Sequence, residues 1–429
     1  MDTKVYELLR VAIGNREYLT RPLSAAEWET VYYICELQAV LGIAFVGIQK
    51  LPKEQMPPSE LFAKWQKDAQ KEKEIRIRVT EICRKACEKH EKNGFDSCIL
   101  MPSPIKVRGE RLESRDERLE FRGGDPKDVD ILCWSKEKKD GKRTIVEYVN
   151  FQYVASTKHI KPKVIRHHVN YESGNIPVEV RFKSEYLNNP WYNGRFENWV
   201  KELIDSNSML KQGGDLHAPS DSFNVVYQLL HLYKKLFCEG IRLGHLLEYY
   251  YTLREFSVER LEVRRPPQSP CVGGKVSVEG LEVRAKSGEV GRPPQSPCVG
   301  GKVSVEGLEV SGERIGSLST GEGGGRGRVM NIIERLGMKK FAGAVMYVLQ
   351  TVFGMPDEYL ICKPNNRNGS FVLKMTMLAG EYTRYLERTR TLRHLGRLGH
   401  HLYWLKRNRP FITQYPAEVL FELYRRIKG

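Results

Sequence analysis

The stretch Arg122-Gly123-Gly124-Asp125-Pro126-Lys127-Asp128-Val129-Asp130-Ile131-Leu132-Cys133-Trp134 carries most of the information about fold and chemistry. A Gly-Gly approach leads into an apolar run with the length and composition of a strand. Residues two apart on a strand point to one side, so Asp128 and Asp130 present both carboxylates together while Val129 and Ile131 enter a core. Two adjacent anions repel and call for a cation, and hard oxygen donors suit Mg2+ or Mn2+. Some fifty residues later Pro177-Val178-Glu179-Val180-Arg181-Phe182 repeats the device, with an acid set between apolar strand residues. A third carboxylate from a neighbouring strand would complete a two-metal site. On its own D-x-D is a common solvated pair; here the Gly-Gly approach, the apolar run and the matched Glu179 strand give it weight.

Outward from this point, the pattern changes near Gly94 from helical to strand-like. Short apolar runs at Cys98 to Met101, Val129 to Trp134, Val164 to Tyr171 and Pro177 to Phe182 predict strands, and Thr144 to Phe151 reads as a helix or a strand. Upstream, Ser24 and Glu27 form a capping box before Trp28, Val31, Tyr32 and Cys35. A second, densely charged helix opens near Ser59 after Pro57-Pro58 and continues to about Lys89. Downstream, helices are predicted near Arg195 to Ile204, Asp221 to Phe237, Leu243 to Leu253, Val329 to Leu336, Lys340 to Phe353 and Phe371 to Leu405. The expected fold class is α+β, a small mixed sheet embedded in a mostly helical protein.

Between the last two groups of helices, Arg265 to Val283 reads RPPQSPCVGGKVSVEGLEV and recurs without change at Arg292 to Val310, a period of 27. Identical copies with little apolar content, followed by a Gly/Ser/Arg-rich tail, mark 257–328 as a flexible insert and not a solenoid. Its Gly-Gly-Lys step continues with Val276 or Val303, so it is no phosphate loop. The expected organisation is a helical region at 1–92, a catalytic sheet at 93–187, a helical region at 188–256, the insert at 257–328 and a basic helical region at 329–429. Removing the insert from 429 residues leaves room for one catalytic sheet with its helical surroundings.

The formal charge of +16 suggests polyanionic company, and its position is informative. The insert holds 11 basic and 9 acidic residues, whereas 329–429 holds 17 and 7. Leu392, Leu395, Leu398, Leu402 and Leu405 form a helical stripe with Arg390, Arg393 and Arg397 away from it, a basic amphipathic helix able to contact a polyanion. No apolar run approaches the 18–20 residues of a membrane span, no signal-peptide pattern opens the chain, and the nine cysteines include no C-x-x-C pair. A cytoplasmic protein without a transmembrane segment is expected. Cys83 and Cys87 read as helix packing. His167 and His168 sit in a predicted strand where alternation lets only one point inward, and Trp191-Tyr192 opens a helix as packing anchors.

The order of segments resembles an uncharacterised nucleotidyltransferase family of the polymerase-beta-like superfamily, common in Bacteroides-type bacteria. The resemblance rests on Met101-Pro102-Ser103-Pro104, Arg122, Asp128-Val129-Asp130 and Glu179. It continues through Asn189-Pro190-Trp191-Tyr192-Asn193, Glu239-Gly240-Ile241-Arg242, Tyr249-Tyr250-Tyr251 and Phe341-Ala342-Gly343-Ala344-Val345-Met346-Tyr347, and is spread over nearly everything except the insert. It implies a polymerase-beta-like sheet that uses Mg2+ (or Mn2+) to move an NMP from an NTP to a hydroxyl acceptor, a small molecule, RNA or protein, with release of pyrophosphate. Asp128, Asp130 and Glu179 would be the metal-binding and catalytic acids, and Arg122, Gly123 and Gly124 would contact the nucleotide. The chain departs from the family where Asn93 stands in place of a lysine, where Pro126-Lys127 interrupts the acid motif, and where Arg181 replaces a histidine beside Glu179. The interruption leaves Asp125 or Asp128 as the first acid; Asp128 is chosen for its one-residue spacing to Asp130. The departures favour a rival of another class, a catalytically degenerate member that binds nucleotide, RNA or protein.

Overall fold

A computed structural model describes residues 2–101, 129–135, 145–150, 163–164, 167–173, 175–211, 217–238, 240–263, 325–391, 404–405 and 408–428. The N-terminal part is helical: α1 (Asp2–Ile13), α2 (Ala25–Leu37), α3 (Leu41–Lys50) and α4 (Ser59–Lys92). The predicted capping box is present at the start of α2, where Glu27 N–H donates to Ser24 Oγ and Ser24 N–H donates to the Glu27 carboxylate at 2.9 Å. Helix α3 (LGIAFVGIQK) is buried all round from Leu41 to Ile48, so it shows no amphipathic period that would mark it in the sequence.

Helix α4, at 34 residues, is about 50 Å long and ties two cores together. Its first half is anchored in the helical body: Trp65 packs edge-on to Trp28 and Tyr32, its indole N–H donates to Leu41 O at 2.9 Å, and Tyr32 OH donates to Asp68 at 2.7 Å. Its second half puts Val79, Cys83, Ala86 and Cys87 beneath a sheet. Both thiols are buried and their pKa values are pushed up to about 12 by that burial, so they pack as small apolar groups. Past Asn93, Gly94 at φ +82° reverses the chain into the first strand.

Among the described residues the sheet has five strands: β1 (Phe95–Met101), β2 (Val129–Ser135), β3 (Lys163–Val164), β4 (His168–Ser173) and β5 (Ile176–Arg181), in spatial order β1-β2-β5-β4-β3. All neighbours are antiparallel except β2 and β5, which run parallel with Asp130 beside Glu179. The single strand expected over Val164 to Tyr171 is instead two antiparallel strands, with Lys163 opposite Asn170 and Val164 opposite Val169. Asn175 at φ +63° turns β4 into β5. Residues 145–150 are helical, which decides between the two readings of Thr144 to Phe151.

The remainder is helical: α5 (Pro190–Asp205), α6 (Asp221–Cys238), α7 (Leu243–Val263), α8 (Gly325–Arg335), α9 (Lys339–Phe353), α10 (Asn366–Thr391) and α11 (Pro416–Lys428). The mixed, mostly helical α+β class is as expected. Helix α7 continues to Val263 and α8 begins at Gly325, so both ends of the 257–328 segment are helical; its repeats and most of the Leu392 to Leu405 stripe lie outside the described residues. None of the described helices is long and apolar enough to cross a membrane. The helical core draws on α1 to α3, the first half of α4, and α5 to α11 together with Cys98, Leu100 and Leu132 of the sheet.

Gln38, fully buried at the end of α2, joins three elements: its carboxamide donates to Thr376 O and Met377 O of α10 and accepts from Leu243 N–H at the start of α7 at 3.0 Å. Gln38→Leu leaves the buried Leu243 N–H without its acceptor and removes two further hydrogen bonds to α10, and should cost about 1 to 3 kcal/mol. A urea midpoint equal to that of wild type would count against this joint.

His90 supplies a pH dependence. Burial, aided by His217, holds its imidazole pKa down to about 4, against roughly 6.5 in an unfolded chain. As pH falls below about 6.5 the unfolded chain takes up the proton first, so stability declines from there towards pH 4. By pH 5 the loss from this group should reach about 2 kcal/mol. Urea unfolding at pH 7.5 and 5.0 should show a smaller difference for His90→Gln than for wild type.

Candidate functional site

Alternation along β2 and β5 divides the sheet into unlike faces. Val129, Ile131 and Cys133, with Val178, Val180 and Val169, turn towards α4. The opposite face, at β2, β5 and β4, presents Asp130, Glu179 and Asn170 in one row and Arg181 and His168 in the next, because these residues are register partners across three strands. The segment after β5 and helix α6 cover this polar face.

At its centre lies Arg181, whose residue is 6% exposed. Its Nη2 donates at 2.7 Å to Asp130 Oδ2 and at 2.7 Å to Glu179 Oε2, so a single nitrogen bridges the two acids. Its Nη1 is 3.7 Å from Glu185 Oε1. Glu185 is itself buried; burial opposes its ionisation, but Lys234 and Arg181 outweigh that and hold its carboxyl well below the usual range. Lys234 donates to Glu185 and lies 3.6 Å above the Tyr186 ring. The Arg181 guanidinium, opposed by burial but surrounded by carboxylates, stays firmly protonated.

Around these charges are further polar groups. His168 Nδ1 is 3.7 Å from Glu179 Oε2 and His231 Nδ1 is 3.7 Å from Glu185 Oε2. The rings of His167 and His168 are 4.6 Å apart. Both therefore belong to this cluster, which corrects the expectation that one would point away: His167 precedes β4 at a bend and escapes strand alternation. Burial and the positive field of Arg181 depress these imidazoles, His167 to about 3 and His168 to about 4, so both are neutral near pH 7. Hydrogen bonds are lacking at His167 Nδ1, both ring nitrogens of His168 and of His231, Asn170 Oδ1, Tyr227 OH, and Nε and Nη1 of Arg181. So many polar atoms without a protein partner in one buried place set this face apart from the rest of the core as the candidate site.

Of the residues singled out from the sequence, Asp130 and Glu179 are thus brought together, Asp130 buried and the Glu179 side chain 31% exposed. Asp128, Arg122, Gly123 and Gly124 lie outside the described residues, as does Asp125. Trp191 is exposed at 73%, contrary to its reading as a packing anchor, whereas Tyr192 does pack, sitting so close to Gly337 that a Cβ there would meet its ring at 2.4 Å. Sequence reasoning did not find Glu185, Tyr227, His231 or Lys234. The last three recur at i, i+4 and i+7 on α6, a polar stripe along a largely buried helix, and that spacing is a usable signal.

Oxygen donors from Asp130 and Glu179, with the unpaired Asn170 Oδ1 alongside Glu179, have the chemistry for a hard divalent cation. Among the described residues no group of three or more His, Cys, Asp or Glu is arranged to hold a metal, and the cation that bridges the acid pair is Arg181. Comparison with protein-family models, with curated proteins and with solved structures gives no match for this chain.

Lys234→Met leaves the buried Glu185 with Arg181 as its remaining close cation and should lower stability by about 2 to 4 kcal/mol. Adding Glu185→Gln should restore part of that loss, because the uncompensated charge is gone. Urea unfolding of the four species of this double-mutant cycle measures it; additive losses would show that the pair is not coupled.

Proposed function

We propose that the chain is a metal-dependent nucleotidyltransferase of polymerase-beta-like type, moving an NMP from an NTP to a hydroxyl acceptor with release of pyrophosphate. The observation that carries this reading is the placing of Asp130 and Glu179 side by side on the parallel strands β2 and β5, on the one polar face of the sheet. Asp130, Glu179 and, on the proposal, Asp128 would hold Mg2+ or Mn2+, which would supply Lewis-acid stabilisation of the triphosphate. Glu179 is the more solvent-accessible of the two described acids and takes the proton of the acceptor hydroxyl. The freed oxygen attacks the α-phosphorus, the bond from that phosphorus to the bridging oxygen breaks, and pyrophosphate leaves. Arg122, Gly123 and Gly124 are proposed to contact the phosphates, and the basic region at 329–429 to assist if the acceptor is a polyanion such as RNA.

A second reading is favoured by one observation. Arg181 already bridges the acid pair, which is how a metal-free, catalytically inactive protein of this fold would be built. On that reading this polar face binds nucleotide, RNA or protein without turnover.

The two are separated by incubating the full chain with each α-labelled NTP and Mg2+ or Mn2+, with cell extract as the source of acceptors. Label transfer by wild type that falls about 100-fold or more in Asp130→Asn and Glu179→Gln is expected for the enzyme. Transfer that is equal in wild type and both variants would sink the assigned site. Retained NTP binding without transfer would point to the binding module.

A further inference from the structure

We propose that Trp191 of α5, with the arginines beside it on α5 and α8, forms a binding surface for single-stranded nucleic acid. The indole stacks on a base, and Arg195, Arg335 and Arg328 hold phosphates of the same strand. This surface is distinct from the polar face of the sheet and does not rest on the transferase reading.

The indole comes first. Trp191 is the most exposed of the large apolar side chains described, whereas Trp28, Trp65 and Trp404 are fully buried. Its backbone is fixed at the start of α5, where Pro190 opens the helix and Trp191 N–H donates to Asn189 Oδ1 at 3.0 Å. One turn on, Gly194 leaves the adjoining surface bare, since a Cβ there would meet nothing within 4 Å. Asn198, a further turn along, is exposed as well. A flat ring on a rigid helix start, with open space beside it, is a platform on which a base can stack.

The charges around it are unmatched. Arg195 follows Trp191 at i+4, and its Nη1 donates to Arg335 O at 2.9 Å, which joins the start of α5 to the end of α8. On α8, Arg328, Asn331 and Arg335 recur at i, i+3 and i+7, all exposed, while Val329 and Ile333 are buried on the other side. Arg328 and Arg335 are about 10 Å apart along the helix, enough to hold separate phosphates. The acids nearest in sequence are already taken: Lys183 pairs with Glu197 at 2.7 Å and Lys339 with Glu334 at 2.7 Å. Arg195, Arg328 and Arg335 have no ion-pair partner among the described residues. Three free guanidinium groups match a polyanion, and the open indole between them and water matches a base. Single-stranded nucleic acid supplies both, whereas a duplex hides its base faces and an acidic peptide has none.

The test is fluorescence anisotropy of labelled oligo(U) and oligo(dT) with the full chain, without NTP and over a range of salt. Trp191→Ala should weaken binding about tenfold, and Trp191→Phe, which keeps a ring, by no more than about threefold. Arg195→Gln combined with Arg335→Gln should weaken it further and flatten the slope of log Kd against log salt by about 1.4, for two lost phosphate contacts. Oligonucleotide should also quench tryptophan emission of wild type, and that quenching should be absent in Trp191→Phe while binding persists. All three side chains are exposed, so these variants keep the packed core. Heparin, a polyanion without bases, should bind Trp191→Ala as it binds wild type. Oligonucleotide binding that is unchanged in Trp191→Ala overturns the proposal and leaves only general attraction to polyanions. So does a failure of wild type to bind either oligonucleotide at low salt, or tighter binding of poly-glutamate than of both.

Discussion

A guanidinium held among three carboxylates, almost out of reach of water, constrains everything built around it. Removing Arg181 from solvent is costly, and only close, well-directed acids make it tolerable. Those acids come from separate places in the chain: Asp130 from β2, Glu179 from the strand that bears Arg181, and Glu185 from the segment that follows it. Glu185 in turn needs Lys234 of α6. The parallel pairing of β2 with β5, the path of the chain after β5 and the seating of α6 over the sheet must all be right together for these charges to be matched. A shift of one residue in the β2–β5 register would send Asp130 into the apolar layer against α4.

That apolar layer explains why the charged face can exist at all. Val129, Ile131, Val178 and Val180 are buried against Val79, Cys83 and Cys87, and each valine or isoleucine on that side leaves its neighbours for the other. Because α4 is also fixed in the helical body through Trp65 and Asp68, the sheet is held at one end of a strut whose other end is packed among aromatic rings. Hydrophobic burial on one face thus supplies the stability that a face of buried charges does not.

This division also accounts for what could be read from the sequence. The capping box of α2, the span of α4, and the strands β2 and β5, each with an acid set between apolar residues, follow from local periodicity, which the chain states plainly. The β3–β4 hairpin was read as one strand because Val164 to Tyr171 keeps strand-like composition throughout; no glycine, proline or asparagine marks the break before His167. Glu185 lies in irregular chain after β5, where no period applies, and its meaning depends on Lys234, forty-nine residues away. Long-range charge pairing of this kind leaves no local trace. The polar stripe of Tyr227, His231 and Lys234 did leave one, since three polar groups at helical spacing on a buried helix need partners, and the only neighbours able to supply them are other buried polar groups.

The neutral state of the histidines completes the electrostatic picture. His167 and His168 are kept uncharged by burial and by Arg181, so they add hydrogen-bonding capacity to this face without adding charge. Protonated, they would set two more cations against the Arg181 guanidinium and weaken the hold of the acids that make its burial tolerable. With them neutral, the field at the face is set by the ion pairs of Arg181 with Asp130 and Glu179 and of Lys234 with Glu185, so the same burial that depresses the imidazoles also strengthens the pairs beside them.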